Sequence, residues 1–144
     1  MLIKPDNPTI FAEAFSKAES AKGYSFDFSL PSLESEVDKY LESLANINRQ
    51  EKAEAERNLT AYIGETMCRL YNGKWTGEYY GSLNRHLINF YSCKVSIDGF
   101  DFWPSHFIGY YFENGEPTTG TFYNYLYTAS LPSLCRKKTI PNDL

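Results

Sequence analysis

The chain has 144 residues, 42% of them hydrophobic and 22% charged, with a formal net charge of −4. That composition supports a packed core and excludes wholesale disorder, and the length suits a single domain. The missing excess of Lys and Arg argues against nucleic acid as a partner, because such binders draw affinity from neutralising phosphates.

No run of about 18 apolar residues is present, so no membrane-spanning helix is expected. Pro5, Asp6, Asn7 and Pro8 interrupt the N-terminal segment, so no secretory signal is expected and a cytoplasmic location is the expectation. Cys68, Cys93 and Cys135 are odd in number and widely spaced. They form no C-x-x-C pair, so neither a disulfide framework nor a structural zinc site is expected, and no cofactor is implied.

The composition changes near Asn72-Gly73. Residues 1–72 hold twelve acidic and eight basic residues, and residues 73–144 hold six of each, so the first half carries all the net charge. Eight aromatic residues precede Gly73 and sixteen follow it. The first half reads as helices and the second as strands with short helices. The expected class is therefore α+β, with N-terminal helices on a small antiparallel sheet and short C-terminal helices.

In chain order, Thr9 to Ala21 has helical periodicity. Ile10, Phe11, Ala14, Phe15 and Ala18 mark its inward face, Thr9 its N-cap and Gly23 its end. Tyr24 to Pro31 reads as a loop, with a short edge strand as the alternative. A second helix is expected from Ser32 to about Ala45, with Leu33, Val37, Leu41 and Leu44 inward and Glu34, Glu36 and Asp38 favoured near its start by the helix dipole. The third helix spans about Arg49 to Tyr71. Asn48 and Glu51 have the spacing of a capping box, and Asn72-Gly73 is the stop signal.

After Gly73 the period shortens to two. Lys74 to Tyr80 reads as a strand, and so does Asn89 to Ile97, with Tyr91, Cys93, Val95 and Ile97 on one face. Asp98-Gly99 signals a two-residue hairpin turn, and Phe100 to Trp103 is the return arm. Pro104 opens a short helix with Phe107, Ile108, Tyr111 and Phe112 on one side. Thr121 to Ser130 leans towards helix, and the tail from Arg136 reads as frayed.

Leu59 to Trp75 contains Leu-x-Ala-Tyr-x-Gly-Glu, then Gly73-Lys74-Trp75. This helix-glycine-tryptophan pattern resembles that of small bacterial proteins of the immunity type, found in polymorphic toxin and contact-dependent inhibition systems. In those proteins strands and a Pro-initiated helix follow the tryptophan, and Asp101 to Ile108 looks like that element. The resemblance covers residues 55–113 and carries no catalytic residue. Physically, Gly64 and Ala61 leave a shallow groove on the helix, and Gly73 turns the chain so that Trp75 folds back onto it. Glu65 has the spacing to pair with Arg69, or to accept backbone donors of the next strand.

A cysteine nucleophile needs a base within hydrogen-bond reach, and His86 and His106 are the only imidazoles. Cys68 and Cys93 fall on apolar stripes, and Cys135 sits beside Arg136, Lys137 and Lys138. No phosphate loop or dinucleotide fingerprint occurs. These absences lead to an expected non-catalytic protein, and the resemblance implies one that neutralises a cognate toxin, such as a basic nuclease, by direct complex formation.

Its expected contacts are Glu34, Glu36, Asp38 and Glu42 on the second helix and Glu51, Glu54 and Glu56 on the third. Tyr110, Tyr123 and Tyr125 join them, because interface hot spots favour aromatic side chains. The plain alternative for the charges is a solvated helix face. Two other readings remain: an enzyme with a carboxylate or histidine site assembled in space, and a homo-oligomeric module using exposed tyrosines.

Overall fold

The fold is a computed structural model that describes residues 8–44, 47–76, 93–106 and 108. Helix α1 spans Pro8–Ser20. A wide turn, Ser32–Glu36, runs directly into the short helix α2, Val37–Glu42. Helix α3 spans Arg49–Tyr71. Strands β1 (Lys74–Thr76), β2 (Lys94–Ile97) and β3 (Phe100–Phe102) follow. They form an antiparallel sheet in the order β1-β2-β3, and the class is α+β.

Helix α3 is the spine. The capping box forms as its sequence requires: Asn48 Oδ1 accepts from the Glu51 N–H at 2.8 Å, and Glu51 Oε1 accepts from the Asn48 N–H at 3.0 Å. At the other end Asn72 takes the left-handed conformation, φ 58°, and stops the helix. The first half of α3 is polar. From Leu59 to Met67 every residue is buried, because α1 covers one side, the sheet another, and the 24–33 segment a third. Each fully buried Leu, Ile or Met in this stretch contributes about 1.5–3 kcal/mol.

Helix α1 lies along α3, and the small residues Ala12 and Ala61 share a packing cluster with Cys93. Its inward face matches the expectation at Phe15, leaves Phe11 half-buried, and differs at the other expected positions. Ala12, Phe15 and Glu19 are buried, whereas Ile10 is 49% exposed and Ala14 and Ala18 face solvent. Alanines dot both sides of this short helix, so hydrophobicity alone does not orient it. Glu19 escapes an apolar pattern because its buried carboxylate is matched by Lys22 at 3.3 Å. Thr9 lies inside the helix and is not its cap; its hydroxyl donates to Glu65 Oε1 at 2.7 Å.

Gly23, at φ 104°, turns the chain after α1. Residues 24–29 form a loop, not an edge strand, Leu30 and Pro31 already belong to the next helical run, and Phe26 is fully buried. Phe26 meets Phe15 and Tyr62, each at 5.0 Å between ring centroids. The second helical run opens at Leu30, just before the expected Ser32, and carries the wide turn Ser32–Glu36 inside it. It ends at Glu42 with a turn over Ser43 and Leu44, short of the expected Ala45. Leu33, Val37 and Leu41 point inward as expected, and Leu44 is half-buried.

In the sheet, Cys93, Val95 and Ile97 are buried, and Lys94 and Ser96 are half-buried on the other face. Asp98 (φ 51°) and Gly99 (φ 83°) form the turn expected of an Asp-Gly pair, placing Ile97 opposite Phe100. Lys94 and Asp101 pair across the strands at 3.0 Å. Pro104 opens a helical turn, as its fixed φ favours. Expectations for residues 77–92, Phe107 and residues 109–144 lie outside the described residues. No helix among the described residues is long and apolar enough to cross a membrane.

Candidate partner-binding surface

The glycine–tryptophan motif closes on itself. A Cβ added at Gly64 would lie 2.1 Å from Trp75 Cη2 and 2.3 Å from Cζ2, with Pro104 Cγ at 3.1 Å. The approach that excludes a side chain here is that of an aromatic ring. Glu65, 8% exposed, gathers the surrounding donors. Its Oε1 accepts from Trp75 Nε1 at 3.1 Å and from Thr9, while Oε2 accepts from Arg69 Nε at 3.0 Å. Arg69 also reaches Glu13 at 3.0 Å and lies 3.8 Å over the Phe28 ring. One carboxylate thus ties α1, α3 and β1 together. All its charge-assisted bonds are internal, so the cluster acts as a structural joint.

The thiols are poor nucleophiles as placed. Burial, with a smaller effect of Glu65, pushes the Cys68 thiol up to about 12. Burial pushes the Cys93 thiol up to about 11. Both stay protonated near neutral pH, and the thiolate is the reactive form. His106 is exposed and stacks on Trp103 at 5.8 Å. Among the described residues no group of three or more His, Cys, Asp or Glu side chains is placed to hold a metal ion. His86 and Cys135 lie outside the described residues.

The acidic residues occupy outer positions on the helical layer. Glu34 and Glu42 are exposed and Asp38 is half-buried, at four-residue intervals along the wide turn and α2. Leu33, Val37 and Leu41 fasten that ridge to the core. Glu36 is used locally. Its Oε1 accepts the Ser25 N–H at 3.0 Å, and its Oε2 pairs with Lys39 at 3.1 Å. The Ser25 hydrogen bond, the largest effect, holds its carboxyl below the usual carboxylate range with help from Lys39, against burial, the second-largest effect, and the nearby Asp27 charge.

On α3, Glu51 is committed to the capping box, Glu54 lies 3.5 Å from Gln50 Nε2, and Glu56 is half-buried. Tyr110, Tyr123 and Tyr125 lie outside the described residues. Sequence reasoning missed the Phe28–Arg69 stack and the polar use of Tyr62. Phe28 and Arg69 meet only through tertiary folding, and the Tyr62 hydroxyl is hidden in an apolar stripe.

Comparison with protein-family models, with curated proteins and with solved structures finds no match.

Proposed function

We propose that this chain is a non-catalytic binding protein, an immunity protein that neutralises a cognate bacterial toxin by direct complex formation in the cytoplasm. The observation that carries the reading is the acidic ridge Glu34–Asp38–Glu42, mounted on a helix fastened by Leu33, Val37 and Leu41. Asp38 and Glu42 ride on the part of the ridge that Val37 and Leu41 hold to the core, and charges held in place cost less ordering entropy on association. A basic toxin, such as a nuclease, is steered onto such a surface by complementary potential. The toxin is silenced when its cleft, or a site beside it, is covered. Two protonated thiols and internally consumed Glu65 and Glu36 carboxylates leave little that resembles reactive chemistry among the described residues.

The test is to mix the purified protein with the toxin encoded beside it. A stable complex on size exclusion and loss of toxin activity at equimolar protein are expected. Absence of both with every neighbouring toxin contradicts the reading.

A further inference from the structure

Two costly backbone conformations lie within a few residues of each other. Phe28 sits in the left-handed region at φ 63°. For a bulky side chain that region costs about 1–2 kcal/mol. Four residues later the wide turn Ser32–Glu36 replaces the ordinary helical turn, with the Val37 N–H donating to the Ser32 carbonyl five residues back. Such a turn holds one more residue than an α-turn and is rare.

The same side chain pins both. Tyr62 Oη accepts the Phe28 N–H at 2.9 Å and lies 2.7 Å from Ser32 Oγ, which donates to the Ser29 carbonyl at 2.7 Å. The phenol therefore accepts from the loop and donates to the wide turn. The ends of the segment have separate anchors. The Ser16 hydroxyl donates to the Phe26 carbonyl, Glu36 accepts the Ser25 N–H, and Val37 is fully buried.

We infer that residues 27–36 are a two-state strap latched by the Tyr62 hydroxyl: when the latch opens, the wide turn tightens to α-register and passes one residue into the loop. The two strains are linked through chain length. A residue returned to the loop gives Phe28 the slack to leave its left-handed conformation, so both costs are relieved in one step. Tightening carries Ser32 roughly 100° around the helix axis, one residue's rotation. It also lifts the Phe28 ring from the Arg69 guanidinium, which it now covers at 3.8 Å. A packed segment with two discrete arrangements is the kind of element that a partner can bias. The strap leads into the Glu34–Asp38–Glu42 ridge, so its state sets the shape of that face. This last link rests on the binding role proposed above, whereas the strap itself is testable in the free protein.

The experiment is amide hydrogen exchange on the isolated full chain. Ser32→Ala removes the latch acceptor with little change in volume, and Tyr62→Phe removes the hydroxyl. Each is expected to speed exchange at Glu36 and Val37 about ten-fold, the upper end of one net hydrogen bond, while the amides of Leu59–Met67 keep their rates. Unchanged rates at Glu36 and Val37, or equal acceleration throughout α3, would overturn the strap. Deletion of the exposed Ser35 forces the α-register. The deleted chain is expected to fold, and adding Ser32→Ala to it should no longer speed exchange. A deletion that unfolds the chain, or one in which Ser32→Ala still acts, equally contradicts the proposal.

Discussion

The two halves of α3 make a natural comparison. Between Leu59 and Met67 the helix is enclosed on every side, and Gly64 and Glu65 are fixed by the indole of Trp75. Between Arg49 and Glu54 the same helix is open to solvent and held at its start by one capping box. One half supplies stability and the other carries charge at little structural cost. A single helix can do both because burial depends on what packs against it, and α1 and the sheet cover only the second half.

The largest expected effect breaks the enclosed half. Leu59→Ala should lower unfolding free energy by about 2–5 kcal/mol, whereas Glu54→Ala should stay within about 0.5 kcal/mol. Urea denaturation of the two variants reads the contrast directly, and equal losses would refute it.

Next comes the glycine. Gly64→Ala gains up to about 1 kcal/mol of helix propensity but drives a methyl into the indole, and overpacking of this kind costs about 1–3 kcal/mol. A net loss is expected in otherwise native protein. With Trp75→Ala already in place, the same Gly64→Ala change should become neutral or stabilising, a coupling that a double-mutant cycle measures.

At the open end, Asn48→Ala should cost about 1 kcal/mol, the usual value of an N-cap. This reads how much of the exposed half depends on its cap.

The interlock of Gly64 and Trp75 was legible in the sequence, because a glycine inside a helix makes room for a close neighbour and the Gly73 turn brings an indole back to fill it. The capping box, the Asn72 stop and the Asp98-Gly99 hairpin were legible because each depends on local chemistry and little on tertiary context. The orientation of α1 was not. Phe15 belongs to both stripes, but Ile10, Ala14 and Ala18 compete with the observed Ala12 and Glu19 on one short helix, and a buried Glu19 paired with Lys22 runs against any hydrophobic count. The wide turn had no signal either, since Ser32–Glu36 contains nothing that favours a five-residue hydrogen bond over a four-residue one. On the candidate surface, the charges of Glu34, Asp38 and Glu42 could be read from spacing. The local use of Glu36 and Glu51 emerged only with their partners.

A smaller effect concerns pH. The folded Glu36 carboxyl titrates below its ordinary value of 4.5, chiefly because it accepts the Ser25 N–H. Its contribution is therefore fully present above pH 4.5 and is lost as pH falls through the depressed folded value. Glu36→Gln should cost more stability at neutral pH than in acid and should flatten the acid limb of the stability profile. An identical cost at both pH values would remove Glu36 as a tether of the loop.

The most direct test of the binding role is charge reversal on the exposed ridge. Glu34→Lys with Glu42→Lys should leave the melting transition nearly unchanged, because both side chains are exposed. At low salt it should slow association with the cognate toxin about ten-fold or more, with the difference shrinking as salt rises. An association rate indifferent to both charge reversal and salt would contradict the account.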